Sequence, residues 1–358
     1  MTLYADNLTS DLTPAPDLPG QGQILTAHEF FVLKWFLVTL QAVVCLFGLV
    51  TNIINVVVFG KMGVAESATS LSFFSLAVSD LGFVATYSVY VILLVYRVFG
   101  YDVSYNLFVM FSWMFFYNVS TAITVYVSLQ KMFCVAIPFR FKNVFTLRRT
   151  AVVLLVTTVV IASFYVPVFA TLYIGEFRDS LNNTTRLAVA YRPGHRGYRR
   201  DYEISMQYLL PFSAQVIVII CLIVLFNKLS RASNFRRQNL TIKTTKDDSA
   251  NSGAFQLSGK ELQAVKAVLV VAAMFVTCNL PPVRSTTASL LEPDFQEFGR
   301  YFRLFFAISY GRFTLMTICS SLNIVVYATF NSNFRHTLKA MSPSCWREEN
   351  GVDTKIVP

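Results

Sequence analysis

Seven runs of this chain, at about residues 34–60, 71–96, 107–131, 150–174, 204–229, 262–288 and 302–330, are long and apolar enough to cross a bilayer as helices. In hydrocarbon every backbone N–H and C=O must be satisfied internally, so a spanning chain is either helical or a closed barrel. Barrel strands are short and alternate with a period of two, and none of these runs does. The expected fold is therefore an all-α membrane protein, a seven-transmembrane helix bundle. Hydrophobic residues make up 54% of the 358 and charged residues only 14%, a balance that excludes an ordinary soluble domain.

Residues 1–33 contain Asp6, Asp11, Asp17 and Glu29 and lack both a basic start and a short apolar core. No cleavable signal peptide is expected, and the first span serves as its own insertion signal. Counting residues at span edges with the adjoining loop, an outside N-terminus leaves 17 of the 30 Lys and Arg on the inner side and 10 outside. Inner positive charge sets topology, so the tail 1–33 is expected to be extracellular. The sequons at Asn7, Asn182 and Asn183 then face outward as glycosylation candidates, whereas Asn118 lies in a span and Asn239 inside. Cys45, Cys221, Cys278 and Cys319 fall in spans and Cys134 and Cys345 on the inner side, so no outer disulfide is expected.

The second span carries one acid, Asp80, about 14 Å in from Leu71 at helical rise, near the middle of the apolar layer. An unpaired charge there costs several kcal/mol, so such acids face the bundle interior and find partners. Depth counting supplies them: Asn52 lies roughly 12 Å from its inner end, Ser120 about 16 Å, and Ser320 and Asn323 about 10–15 Å. Each alone reads as an ordinary interhelical hydrogen bond. Together they predict a hydrated polar cluster, Asp80 with Ser120, Ser320 and Asn323 and Asn52 nearby, able to hold Na+. No other cofactor is expected.

The loop from Glu176 to Glu203 holds Arg178, Arg186, Arg192, Arg196, Arg199 and Arg200, and reads first as a solvated loop balanced by its own acids. Arg284 and Arg312, near the outer ends of the sixth and seventh spans, are candidates to bind an anionic ligand. Residues 230–259 read as a flexible third inner loop. Residues 331–342 carry Phe334, Leu338 and Met341 at i, i+4 and i+7 with Arg335, His336 and Lys339 between, the pattern of a short amphipathic helix on the membrane. In the tail 343–358, Cys345 beside Trp346 is either a palmitoylation site or a free thiol.

Several motifs, in order along the chain, resemble the rhodopsin-like (class A) G-protein-coupled receptors. They are Asn52, Leu76-Ala-Val-Ser-Asp80, Leu129-Gln-Lys131 leading to Pro138-Phe139, Phe275-Val-Thr-Cys-Asn279-Leu-Pro281, and Asn323-Ile-Val-Val-Tyr327 followed by Phe334-Arg335. FFSLAVSDL and FCVAIPFRFKNVFT look most like the divergent molluscan chemosensory-type receptors. The resemblance implies a plasma-membrane receptor in which Lys131 and Phe139 meet a heterotrimeric G protein. It also implies that Phe275, Asn279 and Pro281 form a hinge, and that Tyr327 swings on activation. Gln130, Lys131, Asn279 and Ile324 depart from the family's acid, arginine, tryptophan and proline. Lys131 either pairs with Glu261 at rest or leaves Glu261 to cap a solvated helix, and Ile324 predicts a straighter last span. Residues 302–330 contain no Lys for a retinal Schiff base, so a visual pigment is not expected.

The expected function is transduction of an extracellular ligand, a chemosensory small molecule or a peptide, to a G protein. A receptor-like protein that couples weakly is the alternative, and a small transporter a remote one, since no inverted repeat or second intramembrane acid is visible. The chain has no HExxH or GxSxG, and an enzyme is not expected. The bilayer is its surroundings, and no nucleic-acid partner is expected.

Overall fold

The computed structural model describes residues 24–98, 106–136, 138–179, 184–192, 195–242, 259–292, 294–296 and 299–341. Thr26 begins the first helix, α1 (Ala27–Lys61). Its Oγ1 accepts from the Glu29 N–H at 3.2 Å while the Glu29 carboxylate accepts from the Thr26 N–H at 3.0 Å. This reciprocal cap starts the helix ahead of the apolar run. The chain continues through α2 (Ala68–Val98), α3 (Asn106–Ala136), a short α4 (Pro138–Val144) and α5 (Leu147–Thr171), the last capped by the Thr146 hydroxyl.

Next comes a departure from the wholly helical expectation. Strands β1 (Leu172–Asp179) and β2 (Thr184–Tyr191) form an antiparallel hairpin, with Leu172 opposite Tyr191 and Asp179 opposite Thr184. Twelve of the 28 residues read as a solvated loop are thus paired backbone. Aromatic and β-branched residues in both segments suit a strand, and the ladder satisfies their N–H and C=O groups. Then follow α6 (His195–Tyr202), a π-helical stretch (Glu203–Leu209) and α7 (Leu210–Ile242). Arg199 and Glu203, 2.7 Å apart, link the first two of these on the surface, where such a pair contributes little.

Helix α7 runs to Ile242 and α8 (Gly259–Leu291) begins at Gly259, so helix covers the start of the stretch read as a flexible loop, and 243–258 lie outside the described residues. Helix α9 (Phe302–Ser321) stops at Leu322 and α10 (Asn323–Phe330) resumes, with the Val325 N–H reaching back to the Leu322 carbonyl at 3.0 Å. The last span thus carries one turn residue at Leu322, whose N–H still bonds the Ile318 carbonyl at 3.0 Å, and 302–329 continues as one helix. Helix α11 (Ser332–Ala340) then turns by 93°, capped by Asn331, whose Oδ1 accepts from the Phe334 N–H at 3.1 Å.

Helices α1, α2, α3, α7, α8 and α9 pack in that order into a closed ring, α9 returning to α1, while α5 lies outside against α2 and α3. Helix α2 approaches α3 so closely at Gly82 that a Cβ there would sit 2.5 Å from the Phe116 ring. The polarity is inverted relative to a soluble fold. Leu46 and Val50 on α1, Leu155 and Val166 on α5, and Ile223 and Phe226 on α7 are more than half exposed, whereas Asn52, Asp80, Ser128 and Gln130 are buried. Apolar exposure on that scale is stable in lipid, not water. Among the described residues five helices are long and apolar enough to cross a membrane, and six when 302–329 and 332–340 are counted as one bent span. The chain is a helical membrane protein. The sixth apolar run of the sequence, 262–288, lies within α8, between α7 and α9.

Candidate functional site

Asp80, on the inner face of α2, is 1% exposed and accepts three hydrogen bonds. Ser120 of α3 donates to Oδ1 at 2.6 Å, Ser320 of α9 to the same oxygen at 3.2 Å, and the Asn323 amide of α10 to Oδ2 at 2.7 Å. Side chains from three of the four spans that depth counting placed at this level meet at the one carboxylate. Asn52 belongs beside it rather than in it, donating to the Gly48 carbonyl at 3.0 Å and the Ser320 carbonyl at 3.2 Å. Oxygen atoms of Asp80, Ser120 and Ser320 form the hard ligand set that Na+ favours, so the residues fit such an ion.

Tyr327 is buried at the end of the bundle opposite the hairpin. Its ring lies 5.0 Å from that of Phe59, 5.2 Å from Phe73 and 5.6 Å from Phe334. Its hydroxyl has no hydrogen-bond partner. Phe334 is wholly buried in this cluster, so the apolar stripe of α11 faces the bundle, with Leu338 and Met341 packed beside it, rather than the membrane alone. Lys131 is buried nearby, its Nζ 3.2 Å from the Thr69 hydroxyl and 5.8 Å from the Phe73 ring centre. Gln130 is also buried, with neither amide atom hydrogen-bonded. The side chains of Phe139 and Glu261, on α4 and α8, lie outside the described set, as do Asn7, Asn182, Asn183 and Cys345 altogether.

Toward the hairpin end, α3, the π-helical stretch, α8 and α9 line a pocket that opens to the surface. Asn279 helps line it, accepting a short hydrogen bond from the Tyr117 hydroxyl and donating to the Phe275 carbonyl at 2.8 Å. Phe275 packs with Ala214, Val218 and Ala272 below. Pro281 and Pro282 sit within α8 and remove two N–H groups from its ladder just above Asn279, so the predicted hinge residues lie where the helix is weakest. Arg312 of α9 lines the cavity; Arg284 is exposed and does not, which separates two residues the sequence had paired.

Sequence reasoning missed the rest of the wall. Trp113, Tyr117, Tyr202 and Gln207 line the cavity, and aromatic residues in an apolar run look like packing. Helix α5 braces it: Tyr165 accepts from the Asn118 amide at 2.8 Å and from the Tyr202 hydroxyl at 3.4 Å. Asn118, formally a sequon, is thus an internal strut.

Compared with protein-family models and with curated proteins, the chain finds no match.

Proposed function

We propose that this protein is a seven-span receptor of the rhodopsin-like kind, with its N-terminus outside the plasma membrane, that passes binding of an extracellular ligand to a cytoplasmic G protein. The observation that carries the reading is the Asp80 hub. It ties α2 to α3, α9 and α10, of which α3 and α9 carry part of the cavity wall at one end and α10 carries Tyr327 at the other.

A ligand that contacts α3, α8 and α9 more favourably in one arrangement shifts the bundle toward it, and only such differential affinity can do so. The Tyr117–Asn279 bond reports that contact to α8, whose two prolines let its inner half swing outward. The hub passes it to α10, and Tyr327 leaves the Phe59, Phe73 and Phe334 rings. Its unpartnered hydroxyl has nothing to lose by moving. Lys131, Phe139 and Tyr327 then form the coupling surface, with Glu261 at the mouth of α8. Asp80, Ser120 and Ser320 would hold Na+, which supplies the countercharge to the carboxylate. No catalytic chemistry is needed.

The test is signalling with a panel of G proteins at matched surface levels, comparing the intact chain with Lys131→Ala. Nucleotide exchange above background with at least one partner, changed about threefold or more by the substitution, supports the reading. Silence with every partner despite surface delivery contradicts it. Silence would instead favour a protein that binds ligand and couples weakly, a second reading suggested by Gln130, buried with both amide atoms unpartnered, and by Lys131 held on Thr69.

A further inference from the structure

Inside the cavity the chain leaves a cation short of partners. Among its described contacts, the Arg312 guanidinium makes one long hydrogen bond, 3.5 Å from Nη1 to the Thr286 hydroxyl, and stacks 4.8 Å from the centre of the Phe313 ring. Its Nε is buried with no hydrogen-bond partner. No residue lining the cavity is an acid. A guanidinium offers five N–H donors in a planar fork matched to a carboxylate, and at half-buried Arg312 the buried Nε–H is left unmet. The neighbouring wall is of the opposite character, formed by Trp113, Phe313, Met316 and Val283, with Asn279 and Gln207 as neutral polar groups.

We infer that the cavity binds a small amphipathic carboxylate, its anionic end on Arg312 and its apolar body against Trp113, Phe313 and Met316. This rests on the receptor reading only for what binding would do, and not for whether it occurs. Aromatic walls with one fixed counter-charge select arylalkanoic acids over amines, which would meet Arg312 with like charge, and over neutral analogues, which leave its fork unfilled.

The experiment uses the purified full chain in lipid nanodiscs, without G protein. Thermal unfolding is followed with 3-phenylpropionate, 4-phenylbutyrate and indole-3-propionate, each beside its primary amide. At least one acid is expected to raise the melting temperature saturably, with its amide needing about tenfold more or failing altogether. Arg312→Gln is expected to abolish the shift without lowering the melting temperature of the free protein, Arg312→Lys to keep part of it, and Arg284→Gln to keep all of it. The inference is overturned if no acid stabilises, if the amides match the acids, if the shift survives Arg312→Gln, or if the free Arg312→Gln protein melts several degrees lower. The comparison of acid with amide on the unaltered chain decides the matter even where a variant does not fold. Because no G protein is present, failure here leaves the receptor reading standing, and binding without nucleotide exchange sinks that reading alone.

Discussion

Asp80 and Arg312 lie inside one bundle, carry opposite formal charges, and are treated in opposite ways. Both carboxylate oxygens of Asp80 are taken, by donors from α3, α9 and α10, while Arg312 has a single long hydrogen bond and a ring face. A buried polar group that is fully met holds elements together; one left unmet costs stability unless something else completes it. The hub therefore reads as a joint and the cavity as a receptacle. The unmet atoms of Gln130 and Tyr327 at the far end fall on the second side of that division.

The strongest way to break the comparison is to remove the acceptor at the hub. Asp80→Ala leaves Ser120, Ser320 and Asn323 donating to nothing, and should cost roughly 2–4 kcal/mol of stability in lipid or detergent, measured by thermal or denaturant unfolding. Gly82→Ala, on the same helix but outside the hub, should cost about 1–3 kcal/mol through the Phe116 contact alone. If Asp80→Ala costs no more than this, the hub is not a joint. On the unmet side the sign reverses. Gln130→Met removes two unpartnered atoms at little change in volume and should stabilise by about 1 kcal/mol in the same assay. Tyr327→Phe should move stability by less than about 0.5 kcal/mol while altering G-protein activation, since the hydroxyl makes no bond in this arrangement.

The hub was legible in the sequence because depth along a helix is simple arithmetic. One acid in an apolar run demands partners, and Ser120, Ser320 and Asn323 lie where a fixed rise puts them. Depth says nothing of which way a side chain turns. That is why Asn52, at the right height, bonds to the Gly48 and Ser320 carbonyls instead of the acid. It is also why Arg284 and Arg312 looked alike until α8 and α9 were packed and only one faced inward. The cavity wall was hidden because Trp113, Tyr117 and Tyr202 are as apolar as the core that surrounds them. The hairpin was hidden because six arginines in the segment drew attention to charge, although Thr184 to Tyr191 has the composition of a strand.

The division between met and unmet charges is tested most directly by unfolding Asp80→Asn and Arg312→Gln side by side in lipid nanodiscs without added ligand. Each substitution removes one formal charge, Asp80→Asn at constant shape and Arg312→Gln with a shorter side chain. The account predicts opposite responses. Asp80→Asn melts lower, because its amide nitrogen then meets donors in place of an acceptor, and Arg312→Gln melts at or above the temperature of the unaltered chain. A comparable fall in both would contradict it, showing that Arg312 is as much a part of the frame as Asp80.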